Sequence, residues 1–276
     1  MKYLKTLPFL RPVPALVAMF VLAAASCATM LPRSEEFGPF VRRHTRESIP
    51  ALKNKKKPRA ELNFALLDVT APGALQALVW QFLYDGRSSD EHAGLIASTW
   101  EKRYLETVAQ NPGYNQNWGY EEKHKVVLAG SYAAITRNIF TYEGGAHPNH
   151  TENNFVISTE TPRQLHPADL ITGAGMSRLN TLADWKLRRI SEEITGEPLP
   201  AEKPLSSGIF SQDTIPLTKN FYPDAKGLNF HWDPYEIAPY ATGEIEILIT
   251  WQELDGFLSP EGKKLAGAFT APPPER

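Results

Sequence analysis

The sequence predicts an α+β fold: antiparallel sheets packed against two main helices. Two observations predict it. Two long stretches carry apolar residues at helical spacing, and several shorter stretches alternate with period two. The chain has 276 residues, enough for one large domain or two small ones, and 42% of them are hydrophobic, enough for a sizeable core. With 22% charged residues and a formal net charge of −2, it offers no basic face for nucleic acid.

The N-terminus reads as a leader. Lys2, Lys5 and Arg11 give a positive start, and Ala15 to Ala25, "ALVAMFVLAAA", is an apolar run of 11 residues. A membrane-spanning helix needs about 20, so the run fits a secretory h-region. Ala24, Ala25 and Ser26 precede Cys27, the only cysteine. This pattern resembles the lipobox of bacterial lipoproteins, in which the cysteine is lipidated and becomes the new N-terminus. The alternative is a general signal-peptidase site with Cys27 incidental. Residues 1–26 are therefore expected to be a lipoprotein signal peptide, and residues 27–59 the lipidated cysteine and a tether. Removing the leader leaves 26 basic against 31 acidic residues. Within the tether, Lys53 to Arg59 ("KNKKKPR") reads as a solvated linker, with contact to anionic head groups as the alternative.

From Ala60 the chain reads as globular. "AELNFALLDVT" alternates as a strand, and Leu75 to Leu83 as a short helix. A longer helix follows Ser88, which forms an S-x-x-E capping box with Glu91; Ile96, Trp100, Tyr104 and Val108 recur on one face. "KHKVVLAG" and "SYAAITRNIFTYEGG" read as two strands joined at Ala129-Gly130. A loop and a strand at "NNFVIST" come next. The second main helix spans Ser177 to Ile194, with a stripe of Leu179, Leu182, Leu187, Ile190 and Ile194. Residues 195–218 read as a long loop. Asn220 to Tyr222 and Leu228 to Trp232 flank the hairpin signal "PDAKG". Two prolines keep Asp233 to Tyr240 out of any central strand. "GEIEILITW" is a strand with Ile245, Ile247 and Ile249 on one face. Gln252 to Leu258 is expected to be a short closing helix, and "APPPER" a frayed tail. The expected division is a first subdomain over 60–146 and a second over 147–276.

The loop "TYEGGAHPNHTENNF" holds the residues with most chemical potential. Gly144 and Gly145 supply positive φ, Pro148 rigidifies the exit, and His147 and Asn149 can bond the turn's own backbone. His147 and His150 are a weak metal alternative, because a catalytic zinc site usually needs three protein ligands and no third residue has ligand-like spacing. No G-x-S-x-G elbow and no Walker loop occurs. Paired carboxylates such as Glu121 and Glu122 fit solvated ends of elements. No catalytic residue and no cofactor is therefore expected.

Three stretches together carry a family resemblance: "YEGGAHPNH" (142–150), "FVISTETPRQLHPADLI" (155–171) and "GLNFHWDPYEIAPYATGEIEILITWQEL" (227–254). They resemble the paired extracytoplasmic domains of unknown function in RsiV-type anti-sigma factors and PdaC-type peptidoglycan deacetylases. The resemblance covers roughly Ala60 to Leu258 and marks Tyr142, Gly144, Gly145, His147, Asn149, Pro234, Tyr235 and Tyr240 as motif and binding candidates. It implies a non-catalytic module facing the cell exterior or periplasm; in the RsiV-type proteins the module binds lysozyme. No sigma-binding segment and no deacetylase catalytic domain is expected from this sequence, so neither role is expected to carry over.

The expectation is thus an exported, lipid-anchored envelope protein, non-catalytic, binding a lysozyme-like protein or a peptidoglycan fragment. A metal-assisted hydrolase of cell-wall material and a purely structural lipoprotein are the alternatives. Tyr114, Trp118, Tyr120, Trp232 and Tyr235 are the aromatic contact candidates.

Overall fold

The computed structural model describes residues 33–49 and 60–271. The leader, Cys27, the Lys53–Arg59 run and all but the first residue of the "APPPER" tail lie outside the described residues. The architecture is α+β, with a seven-stranded sheet, a three-stranded sheet and two helices of more than 20 residues.

The large sheet runs in chain order: β1 (Arg33–Phe37), β2 (Phe40–Ile49), β3 (Ala60–Val69), β4 (Trp118–Ala129), β5 (Tyr132–Tyr142), β6 (Asn149–Ser158) and β7 (Arg163–Leu165). Every neighbouring pair is antiparallel except β3 and β4, which are parallel. A parallel step needs a crossover. Helices α1 (Ala74–Tyr84) and α2 (Ser89–Gln110) form it. The Ser88–Glu91 capping box is present, and Trp100 and Tyr104 are buried while Ile96 and Val108 pack beside them.

Residues 33–49 correct the tether expectation. They form a hairpin, and β2 pairs with β3 along its whole length. Charged side chains at Arg42, Arg43, His44, Arg46 and Glu47 mask the strand period, leaving Phe40 and Ile49 as the buried ends. Such charge is a normal way to blunt a strand near a sheet edge.

The large sheet is a wall between two cores. Alternation sends neighbouring residues to opposite faces. On β5, Ala133 and Ile135 face one core while Tyr132 and Ala134 face the other; on β6, Ile157 and Val156 divide the same way. The first core holds α1 and α2, with Val79, Leu83, Trp100 and Tyr104. The second holds α4 (Gly173–Thr195), α5 (Pro260–Thr270) and the small sheet. A one-turn helix, α3 (Pro167–Leu170), leads into α4. The division expected at 146/147 falls in the turn between β5 and β6, two paired neighbours of one sheet.

The small sheet has order β10–β9–β8, from Ile245–Thr250, Gly227–Trp232 and Phe221–Pro223. Cross-strand pairs Trp232–Ile245, Phe230–Ile247 and Leu228–Ile249 fill the second core. Gly227 is required there, since a Cβ would sit 2.2 Å from the Ile249 carbonyl oxygen. Two expectations are corrected nearby. Ile194 is 54% exposed, because the apolar stripe of α4 leaves the core by its last turn. Residues 251–257 are turns rather than a helix. Gly256 takes φ +79 and ends any helical run; the helix comes later as α5, capped by Ser259 with Pro260 in its first turn.

Candidate functional site

The loop between β5 and β6 meets the loop after β9. At the first, Gly144 and Gly145 take φ of +87 and +104. Gly144 is doubly constrained, because a Cβ would lie 2.4 Å from the Tyr114 hydroxyl. That hydroxyl donates to the Glu143 carbonyl at 2.8 Å and accepts from Trp118 Nε1 at 2.6 Å. Tyr142 donates to Gln116 Oε1 at 2.8 Å, and its hydroxyl lies 3.2 Å from the Gly145 carbonyl. Arg103 on α2 pairs with Glu143. The turn is thereby pinned to α2 and to the segment before β4.

His147 then reaches across to the second loop. Its ring stacks on Tyr240, centroids 3.9 Å apart and planes at 18°. Its Nδ1 lies 3.0 Å from the Pro148 carbonyl, which also accepts from the Tyr240 hydroxyl at 3.0 Å. The Tyr235 hydroxyl is 3.5 Å from His147 Nε2. Pro234 is half-buried where the second loop begins, and Tyr235 follows with φ +72 and 62% exposure. A left-handed tyrosine is a backbone outlier and costs of order 1 kcal/mol or more. Motif residues that are about 90 positions apart in sequence therefore form one aromatic junction.

Beside this junction lies a depression of about 570 Å³, lined by Asn115, Gln116, Asn117, Trp118, Gly119, Phe140, Tyr142 and Pro148. A second, of about 280 Å³, shares Trp118, Gly119 and Phe140 with it and adds Asn63, Tyr120, Glu61 and Glu121. Together they make an open trough across β4 and β5. No carboxylate, imidazole or thiol lines the larger part. Its chemistry is amide and aromatic: groups that hydrogen-bond hydroxyls and offer flat apolar faces.

The remaining expected residues fall elsewhere. Asn149 is exposed and opens β6, paired with Thr141. His150 pairs with Phe140 across the strands and binds Glu244 through its side chain. The strand gives His150 a different partner from His147: His150 binds Glu244, whereas His147 stacks on Tyr240. Of the aromatic contact candidates, Trp118, Tyr120 and Trp232 are buried in the cores, Tyr114 is half-buried in the turn, and Tyr235 alone is largely exposed.

Glu122 is the clearest correction. It is not solvated but wholly buried, between α2 and the sheet. His92 Nε2 lies 2.8 Å from it, His124 Nε2 2.9 Å, Arg137 Nε 2.7 Å and the Tyr120 hydroxyl 2.5 Å. Burial opposes its charge, but the hydrogen bonds from His124 and His92 and the Arg137 charge outweigh that, holding its carboxyl far below the usual range. Burial holds the His124 ring below the usual imidazole range, against the pull of Glu122. A neutral ring fits its contacts, since Nδ1 accepts from the Leu67 N–H at 3.1 Å while Nε2 faces Glu122. The network joins α2 and β5 to β4 through one buried carboxylate. The next-but-one neighbours Tyr120, Glu122 and His124 share one strand face, which was the available signal.

The comparisons agree with the fold. Residues 168–252 match the family model described as "Protein of unknown function (DUF3298)". A crystal structure of a DUF3298 family member from Bacteroides fragilis superposes with TM-score 0.65 at 19% identity, covering 86% of this chain and 98% of that one. A DUF3298 family protein from Pseudomonas aeruginosa superposes with TM-score 0.50 at 16% identity, covering 80% and 94%. The chain thus shares the fold of these DUF3298 proteins and carries the family's sequence signature in its second half. The signature takes in β8, β9 and β10 and the Tyr235–Tyr240 loop. No curated protein matches the chain.

Proposed function

We propose that the chain is a non-catalytic cell-envelope lipoprotein, exported and anchored through Cys27, whose module binds an extracytoplasmic glycan in the trough beside the 144–150 loop. The observation that carries this is the junction of His147, Tyr235 and Tyr240 against a trough of amides and aromatics. Sugar hydroxyls and acetamido groups suit Asn115, Gln116 and Asn117, and sugar ring faces suit Phe140, which is 39% exposed, and Tyr235. The trough's lining is chiefly amide and aromatic, with the carboxylates Glu61 and Glu121 confined to its smaller part. A peptidoglycan fragment is the ligand class that matches an envelope address.

A lysozyme-like protein is the second reading. It is favoured by Tyr235, an exposed aromatic held by a strained backbone, the kind of residue that anchors protein interfaces. Among the described residues, no helix is long and apolar enough to cross a membrane.

Two experiments test the reading. Labelled palmitate should enter the wild-type protein and not Cys27→Ala. Titration with soluble peptidoglycan fragments and, in parallel, with lysozyme should give binding that Tyr235→Ala or Phe140→Ala weakens at least about 10-fold, the level expected of an anchor residue. Binding of neither ligand, or turnover of the fragments, would contradict it.

A further inference from the structure

The two sheets are joined by a polar seam that the trough does not use. β7 covers β6 only at Val156 to Ser158. Over the preceding stretch, side chains from the small sheet's loops take the place of a strand. Asp233 Oδ1 accepts the Glu152 N–H at 2.8 Å, Asn220 Oδ1 accepts the Asn154 N–H at 2.8 Å, and Asn220 Nδ2 donates to the Glu152 carbonyl at 2.6 Å. These bonds fix the β6 edge against β8 and β9, with Glu152 at the junction.

His231 comes to the same place from β9. It is 2% exposed, and its Nε2 lies 3.1 Å from Asp233 Oδ1. Its Nδ1 lies 3.9 Å from Glu152 Oε1, too far for a hydrogen bond. Glu246 on β10 is the direct cross-strand partner of His231, and its Oε2 accepts from the Tyr222 hydroxyl at 3.0 Å. Glu152 Oε1 accepts from Asn154 Nδ2 at 3.0 Å. One ligand atom from each of Glu152, His231 and Glu246 lies within 4.8 Å of the others. Asn229, two residues before His231 and so on the same face of β9, has a buried amide nitrogen without a hydrogen-bond partner.

We propose that Glu152, His231 and Glu246 form a binding site for a divalent transition metal, zinc foremost, which clamps the small sheet to β6. Three features argue for it. The donor set, one imidazole and two carboxylates, is typical of zinc, whereas calcium and magnesium take oxygen ligands alone. Two carboxylates balance a dication. Asp233 holds His231 by one ring nitrogen and leaves the other for the metal, the second-shell arrangement common to metal-bound histidines. The three ligand atoms lie within 4.8 Å of one another, on strands that pair or abut. Glu246 is exposed, so the ion enters from that side.

The inference does not rest on the trough or on its ligand. Full-length protein in detergent, stripped with EDTA and dialysed, is titrated with Zn²⁺ by calorimetry, and its Tm is followed with and without Zn²⁺. The expected result is one equivalent bound and a raised Tm, with affinity at least about 10-fold weaker in Glu246→Gln and in Asp233→Asn. Glu246 is exposed, so its variant folds and decides the matter even if His231→Gln does not. His150→Gln, outside the cluster, should bind as the parent does. No binding of Zn²⁺ up to about 1 mM, or equal affinity in Glu246→Gln and the parent, would overturn the site.

Discussion

Tyr235 and Glu122 show, at the level of single residues, two opposite uses of an awkward side chain. Tyr235 holds an unfavourable backbone on the surface, where it stabilises little. Strain of this kind persists where something other than stability selects it. Tyr235→Gly should therefore be as stable as the parent to within about 0.5 kcal/mol in urea unfolding, because relief of strain offsets the lost ring contacts. The same variant should lose the ligand affinity that Tyr235→Ala loses. A large loss of stability would make Tyr235 a packing residue. Glu122 does the reverse: it is buried at full charge, and its bonds to His92 and Arg137 tie α2 and β5 to β4. Glu122→Gln should cost about 3 kcal/mol, because donors are left facing a neutral amide. The pH sign follows from the shifts. Glu122 and His124 both bind protons more weakly folded than unfolded. Their contribution is complete at neutral pH, declines as pH falls below about 6.5 for His124, and declines again below about 4.3 for Glu122. Unfolding curves at stepped pH should show the steeper loss below about 4.3 in the parent and a flattened one in Glu122→Gln.

At the level of elements, long periodic segments were legible and short or charged ones were not. α2 announced itself by a capping box and a four-residue stripe, and β10 by strict alternation. β1 and β2 were hidden, because the side chains of a strand near the edge need not alternate in polarity. α5 was passed over although Ser259, Pro260 and Glu261 form a good start signal; two glycines and short side chains weaken its stripe. The residues of the two motif loops were legible as motif candidates, but their meeting in space and their partners were not. Phe140 and Asn115 to Asn117 carry no motif, and only the pairing of β4 with β5 places them beside His147. Glu152, His231 and Glu246 are likewise scattered over nearly 100 residues and meet only through cross-strand register. The hidden hairpin has a consequence. β3 is buried along nearly all its length, and β2 covers its open edge. Deleting residues 33–49 should expose a ten-residue apolar edge and give aggregated protein by size-exclusion chromatography. Monodisperse protein of parental Tm would show that β2 is dispensable.

Across the whole molecule, one sheet serves two cores, and the 144–150 turn joins two strands of their shared wall. Rigid strands β5 and β6 fix the 144–150 loop, and the small sheet fixes the Tyr235–Tyr240 loop. The seam between the sheets sets the distance between the two loops, and with it the junction at the trough. Function on this account is recognition by a prearranged surface, with the chemistry of the buried groups spent on holding that surface in place. The most direct test is an NMR titration of the full-length protein in detergent with soluble peptidoglycan fragments, followed by mass analysis of the recovered fragments. The account predicts shifts clustered at residues 115–119, 140–149 and 234–240, and fragments recovered intact. Shifts confined to other parts of the fold, or fragments recovered cleaved, would contradict it.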